Sequence, residues 1–180
     1  VHHGNGTQDA FYEREDVLYF STHQYPHYPG TGHWSEKGRG AGEGYTVNVP
    51  FPHGVGDRGY ERAFQEILVP LAQRYQPELI LVSAGYDTHW ADPLANMQLS
   101  TAGFYHLSRI LVSLAQELCQ GRLAITLEGG YDLDALSLSV AATFAALLGE
   151  EAEDSLGPAP RTEPSIDELL EVIKRAHALD

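Results

Sequence analysis

His2, His3 and Asp87 are the residues of this sequence whose types could hold a metal ion. Imidazole nitrogen and carboxylate oxygen suit zinc or another borderline divalent cation. A catalytic zinc takes three protein ligands and keeps a position open for water, and His2 with Asp87 would supply two. Neighbouring side chains of an extended segment point to opposite sides, so His2 and His3 are not expected on one ion. The plain reading competes: histidine pairs are common, and an aspartate after a strand often caps a turn. Tyr131 is the other candidate. It follows Gly129-Gly130, which let a backbone approach a ligand, and its hydroxyl could donate to a developing oxyanion. It could equally be a turn tyrosine packed on the next helix. Cys119 falls in a helical apolar stripe and reads as core.

Other chemistries lack their residues. The glycine run Gly38–Gly44 does not spell G-x-G-x-x-G and precedes a strand pattern, so a dinucleotide site is unsupported. There is no G-x-x-x-x-G-K-[ST] and no Cys-x-x-Cys. Ser83 lacks the first glycine of a nucleophile elbow.

The elements that must position these residues alternate. Residues 16–23, 45–49, 79–85 and 123–128 read as strands, the third a continuous apolar run that implies a parallel sheet covered on both faces. Residues 58–75 have helical spacing with a kink expected at Pro70. Residues 104–118 and 133–147 are two further helices, and a last one starts at Ser165 with Glu168 completing a capping box. Residues 24–44 read as a long ordered loop. The class is α/β, a three-layer α/β/α sandwich around a mainly parallel sheet. Ligands of such sheets bind beyond the carboxyl ends of the strands. The polar groups of His2-His3, Ser21-Thr22-His23, Gly85–His89 and Glu128–Tyr131 should therefore converge on one edge.

Composition narrows the classes. Net charge is −14, from 25 acidic and 11 basic residues, which disfavours a phosphate-backbone binder. No stretch approaches the roughly 20 apolar residues needed to cross a bilayer. One cysteine cannot form an internal disulfide, so a reducing, cytoplasmic setting is expected. At 180 residues the chain could be one domain. Nothing in the pattern speaks to oligomeric state. The acidic, Pro- and Gly-containing stretch 150–162 reads as a solvated, mobile linker between residues 1–149 and a C-terminal helical segment, 163–180.

Several segments together resemble the zinc-dependent histone deacetylase superfamily, which includes acetylpolyamine amidohydrolases. Val1-His2-His3-Gly-Asn-Gly-Thr-Gln8 looks like the end of the family's D-x-D-x-H-H-G-[DN]-G-T block. Val17–Gln24, Tyr28-Pro-Gly-Thr-Gly32, Tyr45–Pro50, Ser83–Thr88 with Ala91-Asp-Pro-Leu94, and Leu127-Glu-Gly-Gly-Tyr131 follow in the family's order. The resemblance spans roughly residues 1–149 and is similar to the class II branch and its bacterial relatives.

The resemblance implies an arginase/deacetylase-like fold and metal-assisted hydrolysis of an acyl amide. His2 and Asp87 would be zinc ligands, His3 a structural neighbour and Tyr131 the catalytic tyrosine. Tyr28, Gly129, Gly130 and Leu94 would line the acyl tunnel. Polyamine-directed relatives can carry a glutamate where Leu94 stands, which leans the substrate toward acetyl-lysine rather than a small acetylated amine. His89 and Trp90 could shape the rim. A potassium ion would take carbonyls of His2 and Thr22 with the hydroxyl of Ser21. A second would involve carbonyls of Phe11, Arg14 and Val17 with Tyr45. The family's first aspartate ligand and its P-G-H-H tandem histidines have no counterpart here. The chain is therefore expected to be the C-terminal half of such an enzyme, inactive alone. A non-catalytic binding domain is the alternative of another class.

Overall fold

A computed structural model describes residues 1–179. Two parallel strand pairs carry the molecule. β1 (Tyr19–Gln24) pairs with β2 (Thr46–Phe51), in register from Tyr19–Thr46 to Gln24–Phe51. β3 (Ile80–Ala84) pairs with β4 (Leu123–Leu127), from Ile80–Leu123 to Ala84–Leu127. Among the described residues the pairs form separate ladders. Val1 stands between them. Its carbonyl accepts from Gln24 N at 3.0 Å, and its amino group donates to Asp87 at the end of β3.

Val47, Val49 and Phe51 of β2 are fully buried among Ile67, Leu71, Met97 and Leu99. The C-terminal helix α6 (Asp167–Ala176) closes this core with Leu170 and Ile173, at the spacing of one helical face. α4 (Thr101–Cys119) and α5 (Leu133–Leu148) pack on each other. Cys119 is buried in α4, as its stripe implies.

Four expectations are corrected. The helix over 58–75 is divided into α2 (Asp57–Ala63), a wide π turn (Phe64–Leu68) and α3 (Val69–Tyr75). Pro70 has no N–H to give the preceding turn, so it falls in the first turn of α3, where none is needed. The strand 16–23 begins only at Tyr19, so Ser21, Thr22 and His23 lie within β1 rather than after it.

Among the described residues the β3–β4 pair is not covered on both faces: Leu81 is 73% exposed, with Leu127 and the α5 side chains Leu133, Phe144 and Leu148 also open. A continuous apolar run records what both faces of a strand are built to meet. Within the described residues, only the side carrying Ile80, Val82 and Ala84 is partly covered.

The Ser165–Glu168 capping box does not form. Ser165 Oγ instead donates to Asp167 Oδ2 at 2.7 Å, and α6 starts without a side-chain cap.

The stretch 150–162 is tied to the rest of the chain at several points. Asp154 accepts from Ala102 N in the first turn of α4, at 3.1 Å, and from Gly157 N at 2.8 Å. Gly157 O accepts from Trp90 Nε1, and Arg161 N donates to Gln98 Oε1. Just beyond, Glu163 accepts from Arg58 N and Gly59 N at the start of α2. Acidic side chains here satisfy the free N–H groups of two helix starts. A short helix, α1 (Asn5–Phe11), follows His2-His3 and has no counterpart in the periodicity.

Candidate active site

Asp87 lies in the tight turn Tyr86–Thr88 that leaves β3. Its side chain is buried, and Oδ1 accepts from the Val1 nitrogen at 2.5 Å. A buried carboxylate requires such a partner. Its other oxygen, Oδ2, lies 3.7 Å from Nδ1 of His2. Burial above all pushes the His2 pKa below its ordinary value, which favours the neutral ring that can ligate. The His2 ring stacks on His27 at 5.2 Å and meets Tyr28 edge-on at 5.8 Å.

The end of β4 closes on this turn. Glu128 N donates to Ala84 O at 2.9 Å, and Tyr86 N to Gly129 O at 2.8 Å. Gly129 is required here because a Cβ at that position would lie 2.5 Å from Asp87 Oδ2. Tyr131 follows, with its side chain open to solvent on the same edge. The structure thus brings together His2, Asp87, Gly129 and Tyr28 directly, and Gly130 and Tyr131 through the loop they share with Gly129. Leu94 stands in the loop after Asp87, half exposed.

His3 turns away from Asp87. It is buried, with Nδ1 2.8 Å from Thr31 Oγ1 and Nε2 3.0 Å from Gln8 Oε1. Gln8 also accepts from Asn48 Nδ2 at 2.7 Å and donates to Glu36 Oε2 at 2.7 Å. Glu36 takes the Gly32 and His33 N–H groups as well. Gly32 has φ +90, and a side chain there would meet the rings of His23 and His3. This buried network joins α1, β2 and the loop that carries Tyr28. Sequence reasoning missed Gln8, Glu36 and Asn48, whose signal is only their presence in the Val1–Gln8 block, the loop 24–44 and the Tyr45–Pro50 segment.

His89 and Trp90 do not shape a rim. His89 is fully buried, and Trp90 is tied to Gly157 through its indole N–H. Ser21 Oγ lies 3.0 Å from His23 Nδ1. Phe11 O accepts from Arg14 N, Tyr45 O accepts from Tyr19 N, and the Arg14 side chain pairs with Asp16 at the surface.

Among the described residues no group of three or more His, Cys, Asp or Glu side chains could hold a metal. The donors present are a pair. A neutral imidazole nitrogen and a carboxylate oxygen, with glycine clearing the space beside them, fit two of the ligands a divalent ion would use.

Residues 1–147 match the histone deacetylase domain family. The chain belongs to that family. It is 50% identical over 181 residues to histone deacetylase 14, chloroplastic, of Arabidopsis thaliana, covering 99% of this chain and 43% of that protein. It is 46% identical over 150 residues to a probable deacetylase of Archaeoglobus fulgidus, covering 83% and 42%. Among solved structures, the HDA15 HD domain superposes with TM-score 0.86 at 38% identity, over 98% of this chain and 49% of that one. The chain thus spans less than half the length of the curated relatives it matches. It shares the mixed α/β fold with parallel strands of the solved deacetylases. None of its described helices is long and apolar enough to cross a membrane.

Proposed function

We propose that this chain supplies part of the active site of a zinc-dependent amidohydrolase that removes acetyl groups from acetyl-lysine-like substrates. The observation that carries the reading is the approach of His2 Nδ1 to Asp87 Oδ2, 3.7 Å, beside the loop that bears Tyr131, in a chain of the deacetylase family. His2 and Asp87 would hold the ion, and a third ligand has to come from outside these 180 residues. Bound zinc supplies Lewis acidity and lowers the pKa of a water molecule.

The chain's own residues do the rest of their share. Tyr131 donates its phenolic hydrogen to the oxyanion that develops on the acetyl carbonyl. Gly129 and Gly130 leave room for the acyl group. Tyr28, beside His2, forms an aromatic wall, and Leu94 keeps the entrance neutral. The proton of the attacking water needs a general base. The P-G-H-H histidines are not in this sequence, so the chain alone is expected to be inactive. Potassium is proposed at His2, Ser21 and Thr22, and a second ion at Phe11, Arg14, Val17 and Tyr45. The buried, free Cys119 supports a reducing setting such as the cytoplasm. A small acetylated polyamine is the second reading, favoured by the net charge of −14, which attracts cations.

The test uses the protein as its gene encodes it. Stoichiometric zinc, and hydrolysis of an acetyl-lysine peptide in preference to acetylputrescine that Tyr131→Phe lowers about 100-fold or more, is the expected result. No zinc uptake and no effect of that substitution would instead mark a non-catalytic binding domain.

A further inference from the structure

Tyr131 sits on a short irregular loop between β4 and α5, and its side chain is 54% exposed. Packing of the side chain itself therefore does little to fix it, yet a group that meets a developing charge has to be held within fractions of an ångström. The backbone is held instead, by Asp92. That carboxylate is 5% exposed and comes from the distant loop that follows Asp87. Its Oδ2 accepts from Tyr131 N at 2.6 Å and from Asp132 N at 3.2 Å. Its Oδ1 accepts from Leu94 N at 2.9 Å.

Asp132 is the cap residue of α5, and its own carboxylate accepts from Ala135 N at 2.8 Å. The Asp92 charge therefore stands at the positive end of a 16-residue helix. Charge-assisted bonds from backbone N–H groups to a buried carboxylate are short and strong. Leu94 and Tyr131 have no covalent route to each other shorter than the whole of α4 and β4. One carboxylate spans that separation.

We propose that Asp92 is a positioning residue for catalysis. It sets the backbone of Tyr131 and that of Leu94 from a single anchor, so that the phenol and the entrance residue keep a constant relation. This rests on the reading of Tyr131 as the oxyanion donor. Asp92→Asn preserves the shape but turns an NH₂ group toward N–H groups that require an acceptor. Asp92→Ser keeps one acceptor in a smaller side chain.

The experiment is a double-mutant cycle on the protein as its gene encodes it, with an acetyl-lysine peptide as substrate. Amide hydrogen exchange at Tyr131 and Asp132 is read in parallel. Asp92→Asn is expected to lower kcat about 10- to 100-fold with KM changed less than about threefold. In the Tyr131→Phe background it should lower kcat less than about twofold, because the group it positions is gone. Exchange at the two amides should rise. Asp92→Ser should fall between the native protein and Asp92→Asn.

Equal losses in both backgrounds would overturn the proposal, since a general loss of fold does not depend on Tyr131. Faster exchange with unchanged kcat would overturn it too. If Tyr131→Phe is itself silent, the reading of the site falls and takes the catalytic role of Asp92 with it. The exchange data then report the backbone clamp separately. If Asp92→Asn does not fold, the Asp92→Ser cycle decides by the same criteria.

Discussion

Nδ1 of His2 stands 3.7 Å from Oδ2 of Asp87, with the first residue anchored beside β1 and the second at the end of β3. Two donors at this distance from separate elements form a site only when both elements are in place.

Asp87→Asn removes the negative charge from the pair while keeping its shape. Metal content of the purified protein, measured by inductively coupled plasma mass spectrometry, should fall from near stoichiometric to at most a few per cent. A variant that retains native zinc would remove Asp87 from the ligand set. Circular dichroism separates this from unfolding, because Asp87 Oδ1 also accepts from the Val1 nitrogen.

Leu94→Glu places a carboxylate where the proposed entrance is now apolar. The ratio of kcat/KM for acetylputrescine over that for an acetyl-lysine peptide should rise by about 10-fold, the effect of one favourable charge contact of about 1.4 kcal/mol. An unchanged ratio would place Leu94 away from the substrate path.

Glu36→Ala leaves the Gln8 amide and the Gly32 and His33 N–H groups without their acceptor. The cost should be about 1–3 kcal/mol of stability, read by urea unfolding. Because the loop that carries Tyr28 is tied down there, KM should rise more than kcat falls. A change below about 0.5 kcal/mol would show that the network is not stabilising.

His177 gives a pH dependence with a definite sign. It is buried after α6, and among the described residues neither ring nitrogen has a hydrogen-bond partner. Burial, and then the charges of Lys37 and Arg74, push its pKa below the ordinary 6.5. The unfolded chain takes up the proton near 6.5 and the folded chain only at lower pH. The contribution is therefore fully present above 6.5 and is lost as pH falls from there. His177→Leu should flatten the fall of Tm between pH 7 and 5. An unchanged slope would assign the acid sensitivity to other groups.

Much of this was legible in the residues. The apolar runs at 80–84 and 123–127 and the stripe of α4 follow from periodicity, because burial imposes it. The meeting of the Asp87 turn with the Glu128–Gly129 turn follows from the rule that parallel strands place their carboxyl ends together. Asp92 was visible only as a letter in Asp-Pro-Leu. Its bonds to Tyr131 and Asp132 are side chain to backbone across distant loops, and such bonds leave no periodic trace. The same holds for the Gln8–Glu36–Asn48 network. The bare side of Leu81 was misread because a strand's sequence records what its faces are suited to, and not which elements of a given chain cover them.

The seam between the two strand pairs has a mechanical meaning. Among the described residues no ladder joins β1 to β3, and Val1 bridges them, its carbonyl accepting from Gln24 N and its nitrogen donating to Asp87 Oδ1. An ion held jointly by His2 and Asp87 would act as a rivet across that joint. Loading the site and stiffening the joint would then be a single event, and a chelator would loosen the molecule along this line before it unfolded the rest.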